Sequence, residues 1–199
     1  MNGMSNQVET YIDIQLDKRD QVSVLFRYVL IVPIAIFAAA LASGSMVKLG
    51  IGLLTLPVLL SLLVRGIYPS YALRFNHAII ELSTRLTAYA LLLNDRYPSI
   101  ESNDSVRVIF PEVDGGKKLN RLLPLVKWFL AIPLYLVGLV YTLYGLIMLI
   151  AAWFATIFTG RMPQVTAEVL FGVTRYWNRV YGYAFVLVTD EYPPFTLNS

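Results

Sequence analysis

One run of 33 residues without a charge, Trp128–Gly160, constrains this chain more than any other feature. A helix rises about 1.5 Å per residue, so a single helix of that length would reach about 50 Å, well beyond the roughly 30 Å hydrocarbon core of a bilayer. With Leu122–Lys127 added at its front, the run divides into two spans, about 122–140 and 144–159, with a break expected near Val140–Gly145. Two more uncharged runs stand in the first half, Tyr28–Val47 (20 residues) and Leu49–Val64 (16 residues), with Lys48 between them. The joint Ser43-Gly44-Ser45-Met46-Val47-Lys48 is turn chemistry. The expectation is four spans in two hairpins, the first pair at about 24–42 and 49–64.

Composition agrees with that reading. Hydrophobic residues make up 57% of the chain and charged residues 15%, against roughly 45–50% and about 25% in soluble domains. The mean hydropathy is +0.61. These values point to an integral membrane protein and exclude disorder and disulfide scaffolds. Cysteine is absent, which removes thiolate metal sites and a cysteine nucleophile, and the single histidine removes histidine-rich metal sites. The net charge of +3 is accounted for by topology and calls for no nucleic acid. Of 16 Lys and Arg, only Lys48 would lie on the far side; the rest, with all 13 Asp and Glu, fall on the side of both termini. The positive-inside rule makes that side cytoplasmic, so the expected location is the bacterial inner membrane, multi-pass, with both termini cytoplasmic.

The chain reads as a tandem repeat. Phe26-Arg27-Tyr28-Val29-Leu30-Ile31-Val32-Pro33 parallels Val126-Lys127-Trp128-Phe129-Leu130-Ala131-Ile132-Pro133. Gly66 and Pro69 match Gly160 and Pro163; Glu81, Arg85 and Tyr89 match Arg175, Arg179 and Tyr183. Both units close alike, on Asp95-Arg96-Tyr97-Pro98 and Asp190-Glu191-Tyr192-Pro193. Unit one is 1–100 and unit two 101–199. Each is expected to hold a strand, a two-span hairpin, an amphipathic interfacial helix (about 71–93 and 165–183) and a short extended tail. Two spans return the chain to its starting side, so the repeats are expected to run parallel about an axis along the membrane normal. The fold class is mainly α, polytopic, with a small cytoplasmic β element.

The stretch Leu123–Phe195, with "LPLVKWFLAIPLYLV", "AAWFATIFTGRMPQ" and "VTRYWNRVYGYAFVLVTDEYPPF", resembles the bacterial membrane-protein family called domain of unknown function 4389, whose members often carry the unit in tandem. The first unit diverges, with Leu63-Val64-Arg65-Gly66 where the second has Phe158-Thr159-Gly160-Arg161. The resemblance implies fold and topology and transfers no catalytic residue.

The polar elements are few. Arg74, His77, Glu81 and Arg85 are spaced three, four and four apart and so share one helical stripe. Glu168, Arg175 and Arg179 form the equivalent stripe in the second unit. Such helices support the spans from the interface, and Arg74, Glu81, Arg85, Arg175 and Arg179 are candidates for holding lipid headgroups or a partner. Val8–Leu16 alternates apolar and polar residues, as do Val106, Val108 and Phe110, so both are half-buried strands. Leu91–Leu93 and Phe185–Val188 are candidate partner strands, and an exposed sheet edge could accept a strand from elsewhere. Pro33 and Pro133 are helix-kink positions, each freeing the carbonyl four residues back.

Catalytic chemistry is not indicated. Gly115-Gly116-Lys117-Lys118 lacks phosphate-loop spacing. Asp13, Asp17 and Asp20 are scattered among Lys18 and Arg19, and no nucleophile elbow is present. The spans offer only Ser61, Thr55, Thr142 and Thr156 as polar groups, so no ion path is visible. Gly50, Gly52, Gly138 and Gly145 allow close helix packing. The expectation is a non-catalytic accessory or scaffold subunit of a larger inner-membrane complex, without cofactor or metal. Its partners would be membrane lipids and another membrane protein or a second copy. The alternative is a lipid-handling protein that binds, senses or scrambles lipid through its basic interfacial helices.

Overall fold

A computed structural model describes residues 6–43, 54–101 and 104–197. Strand β1 (Glu9–Ile12) is followed by α1 (Gln21–Leu30) and α2 (Val32–Ser43) end to end, then α3 (Thr55–Arg65) and α4 (Ser70–Ala90). The second half runs β2 (Val106–Ile109), α5 (Leu123–Leu130), α6 (Ile132–Thr159), α7 (Gln164–Tyr181) and a π-helical turn, Gly182–Val186. The protein is mainly helical with one small sheet. Two stretches, Gln21–Ala40 and Ile132–Thr159, are long and apolar enough to cross a membrane, and only 17% of each is buried. The turn at Gly44–Lys48, with Gly50 and Gly52, lies outside the described residues.

Helix ends follow local chemistry. Asp20 caps α1 by accepting from the Val22 and Ser23 amides. Gly66 and Gly160, both left-handed, close α3 and α6, and Pro69 and Pro163 lead into α4 and α7. The interruptions at Ile31 and Ala131 come two residues before Pro33 and Pro133.

The expected break at Val140–Gly145 does not occur: α6 is continuous over 28 residues, about 42 Å. Its proline sits in the first turn, where a missing N–H removes no intrahelical bond. Thr142 directs its hydroxyl back to Gly138 O (2.8 Å), and Gly145 faces α7 with Val173 beside it. Nothing in that segment disfavours helix.

A second correction concerns α7. An interfacial helix at 165–183 would lie across the ends of the spans. Instead α7 runs antiparallel beside α6: Tyr176 donates to Leu134 O (2.8 Å), Trp177 Nε1 donates to Thr142 Oγ1 (2.9 Å), and Leu170 and Val173 face Gly145. On the buried side of α6, Leu134, Gly138 and Gly145 face α7, and Ala152 packs with Val24 of α1 and Ala167 of α7. A Cβ on Gly138 would stand 2.8 Å from the Trp177 ring, so glycine sets how closely the two helices approach. On its other side α7 is covered by the first segment of the chain. Val8 meets Gly182, Thr10 bonds Asn178, and Leu16 O accepts from Met162 N (2.7 Å). The molecule is thus layered, with extended segments outside, α4 and α7 in the middle, and the apolar helices on the opposite face.

The sheet pairs β1 with β2 antiparallel, Thr10 opposite Val108 and Tyr11 opposite Arg107. Val8, Thr10, Val106 and Val108 are buried while Tyr11, Arg107 and Ile109 are exposed, as the alternation predicts. Leu91–Leu93 and Phe185–Val188 form turns rather than partner strands. Leu93 O nevertheless accepts from Gln15 N (2.8 Å).

Both large cores draw on both halves of the chain. Val58, Leu62 and Ala72 pack with Val186, Leu187 and Val188. Ala152, Met162 and Ala167 pack with Val24, Leu92 and Leu93. The backbone is stitched the same way: Met162 N bonds Leu16 O, and Tyr68 N bonds Gly115 O (2.9 Å). Residues 1–100 and 101–199 expressed separately are therefore expected to aggregate or be degraded, whereas co-expression restores a folded pair. Co-purification of an affinity-tagged half with its untagged complement measures this.

Candidate functional site

The strongest electrostatic feature is a pair of cations buried inside the apolar helices. Arg27 of α1 and Lys127 of α5 are both fully buried. Arg27 donates to Tyr89 O (2.9 Å) and Asn94 O (3.0 Å), pairs with Asp95, and lies over the Tyr89 ring at 4.3 Å. One hundred residues on, Lys127 donates to Thr189 O (2.6 Å), pairs with Asp190 at 2.8 Å, and stands 5.1 Å from the Tyr183 ring. Each carboxylate also accepts a backbone amide, Asp95 from Asp20 (3.1 Å) and Asp190 from Asn120 (2.5 Å). The first clamp holds a second guanidinium, since Arg19 reaches Asp95 at 2.8 Å. Burial pulls Arg19 below its ordinary pKa; Asp95 opposes that fall and Arg27 adds to it. Each clamp ties the front of an apolar helix to the tail that follows α4 or α7.

The five candidate site residues do not converge. Arg74 is exposed and, with His77 and Glu81, lines a groove of about 1440 Å³ between α4 and the β2 edge. His77 Nε2 donates to Val108 O (2.7 Å), which occupies one acceptor on that edge. Arg85 is buried and donates to Glu101 O (3.0 Å) and Ile100 O (3.4 Å). Burial lowers its pKa, and Glu81 partly opposes this. Arg175 donates to Leu197 O (2.5 Å). Arg179, also buried, is pulled down to about 10 by burial and then by Arg175, with Tyr176 opposing. Arg175 and Arg179 line a separate cleft of about 460 Å³ beside β1. Arg85 and Arg175 thus bond the chain's own tails.

Two further features join the elements. Asn178 donates to Thr10 Oγ1 and Thr84 Oγ1, both at 3.0 Å, linking β1, α4 and α7 in the interior. An apolar cavity of about 450 Å³ lies between α4, α6 and α7. Among the described residues, no three of His, Asp and Glu form a metal-binding group.

Arg27, Lys127, Asp95 and Asp190 were visible in the sequence only as coincident positions in the two halves; that coincidence was the available signal. The chain matches no protein-family model, and comparison with curated proteins and with solved structures finds no similar one.

Removing one carboxylate leaves a buried cation without its counter-charge, a change that costs about 3–5 kcal/mol. Asp95→Asn is expected to destabilise more than Asp190→Asn. Asp95 serves two guanidinium groups that stay charged, whereas a buried lysine can shed its proton. Denaturant or thermal unfolding of the detergent-solubilised variants gives the order.

Proposed function

We propose that this chain is a non-catalytic integral membrane protein of the bacterial inner membrane, acting as an accessory or scaffold subunit of a larger complex. The observation that carries the membrane part is the uncovered apolar layer. Leu136, Leu143, Ile147, Phe154 and Phe158 on one side of α6 are between 51% and 78% exposed. Val29, Ile36, Val64 and Phe129 extend the same chemistry over α1, α2, α3 and α5. Exposed apolar patches above a few hundred Å² mark membrane or protein contact. The scaffold part is supported by how the cations are used: buried Arg27, Lys127 and Arg85 and half-buried Arg175 hold the chain's own carbonyls.

The layering favours a flat rather than an upright seat. Were α6 to stand across the bilayer, α7 and the extended segment beside it would stand there too. Glu9, Tyr11, Asp13 and Gln15 would then be drawn to bilayer depth, at high cost. Laid in the plane, a layer one helix thick, about 10 Å, fits within a leaflet of about 15 Å. The charges of the extended segment, Glu9, Asp13 and Asp17, then stay out of the hydrocarbon, on the cytoplasmic side by the positive-inside rule. The tandem-repeat reading and the resemblance to domain of unknown function 4389 belong to this proposal. The tandem-repeat reading is supported by the matched clamps and the crossed backbone bonds at Leu16 and Gly115, and the resemblance rests on the sequence motifs alone.

Lipid handling is the second reading, and the apolar cavity between α4, α6 and α7 favours it.

Spin labels at Leu136, Leu143, Ile150 and Phe158, on a chain free of native cysteine, test the seat. Similar immersion depths are expected; an upright helix would give a gradient of about 33 Å across these 22 residues. Gentle affinity purification followed by native mass spectrometry tests the role. A second protein at fixed ratio is expected, and a lone chain or homo-oligomer carrying defined lipid would overturn the accessory reading in favour of lipid handling.

A further inference from the structure

We propose that the cavity between α4, α6 and α7 is a binding site for one acyl chain of a membrane phospholipid. The inference rests on the membrane reading above and gives that surface a specific ligand. The cavity's volume of about 450 Å³ lies within the roughly 300–1,000 Å³ of ordinary ligand pockets. Ile79 of α4 and Leu91 just beyond its end, Leu146 and Leu149 of α6, and Val173 of α7 make its apolar wall.

Much of the wall's polar chemistry is already used, although Ser83, Thr87 and Tyr181 also line it. Thr84 directs its hydroxyl to Ile80 O (2.7 Å), Thr174 to Leu170 O (2.9 Å) and Thr142 to Gly138 O (2.8 Å). Trp177 Nε1 is held by Thr142, and the Asn178 amide is held by Thr10 and Thr84. At about 30 Å³ each, some fifteen waters would fill the space, and each needs two to four polar partners. Hydroxyls bound to their own helices serve such water poorly, whereas hydrocarbon needs no partner.

Two glycines on one face of α6 separate packing from cavity. Gly138 is closed by Trp177, with a Cβ position only 2.8 Å from the ring. A Cβ on Gly145 would stand 3.4 Å from Val173, in ordinary contact, and the residue lines the cavity. Leu146, at the rim, is 54% exposed and continuous with the apolar outer side of α6. A chain lying in the leaflet therefore enters without crossing a polar barrier.

The test uses the full chain in detergent micelles with a phospholipid carrying a photoactivatable diazirine midway along one acyl chain. Adducts are mapped by peptide mass spectrometry, and a fatty acid with the same diazirine runs in parallel. Adducts on Thr87, Leu149 and Val173 are expected to saturate and to be competed by unlabelled phospholipid. Adducts on the outward Leu136 and Leu143 are expected to do neither. Gly145→Leu and Ser83→Phe fill the cavity from opposite walls and should each weaken inner-wall labelling about tenfold, leaving outward labelling unchanged. The second variant keeps the test decisive if the first misfolds. Inner-wall labelling that is absent, unsaturable or indifferent to both fillings would overturn the site. Saturation by the fatty acid alone would overturn the phospholipid assignment. The membrane reading fails separately, through a protein that stays monodisperse once detergent is removed.

Discussion

Arg27 and Lys127 sit inside apolar helices with no exposed surface, and the tertiary structure is arranged around that fact. A buried cation is tolerable only with a counter-charge and hydrogen-bond acceptors in place. Asn94 O, Thr189 O and the two aspartates supply them, and the chain must reverse sharply after α4 and after α7 to bring them there. Leu92 and Leu187 make that reversal with φ near +63° and +62°. A left-handed leucine costs roughly 1–2 kcal/mol, so glycine would be the expected residue. Both leucines are fully buried, which contributes about 1.5–3 kcal/mol apiece. Burial outweighs the strain, and the same residue turns the chain and fills a core.

The clamps also fix the layering. Each ties the front of an apolar helix to the end of a middle-layer helix, so apolar and middle layers cannot slide past one another. The middle layer carries the mixed chemistry this demands. Tyr176, Asn178 and Arg179 of α7 are buried, yet Tyr176 bonds toward α6 and Asn178 toward the extended segments. Within the polar stripes, Arg85 and Arg175 turn to the protein's own tails, while Arg74 and Glu168 are exposed.

This explains which features were legible beforehand. The strand alternation at Val8–Ile12 and Val106–Val108 was legible because period two depends on which side is buried, and the sheet has one buried side. The breaks ahead of Pro33 and Pro133 and the αL ends at Gly66 and Gly160 are local chemistry. The continuity of α6 and its packing along α7 were not legible. Hydropathy reports how apolar a segment is, not which neighbour it lies beside. Nor could the 3.6-residue period tell whether the stripe with Arg175 and Arg179 meets solvent or a carbonyl such as Leu197 O. The clamp residues escaped notice because Arg27 precedes a long apolar run, where a cation ordinarily marks the edge of a span.

A layer of apolar helices must still satisfy every backbone group it holds, because apolar surroundings offer no partners. The interruption at Ala131 is where this requirement is sharpest, since Pro133 brings no amide to the ladder. The ladder itself passes through the break: Ala131 N bonds Lys127 O (2.8 Å) and Tyr135 N bonds Ala131 O (2.9 Å). Tyr192 then donates to Leu130 O (3.1 Å) from the tail, and Tyr176 to Leu134 O (2.8 Å) from α7. Trp128 Nε1 reaches Ala184 O (2.7 Å) across the same junction. The tail that carries Asp190 to the buried lysine therefore also carries a hydroxyl to a carbonyl beside the proline. The element that neutralises the buried cation of α5 thus also bonds the last carbonyl of that helix, Leu130 O.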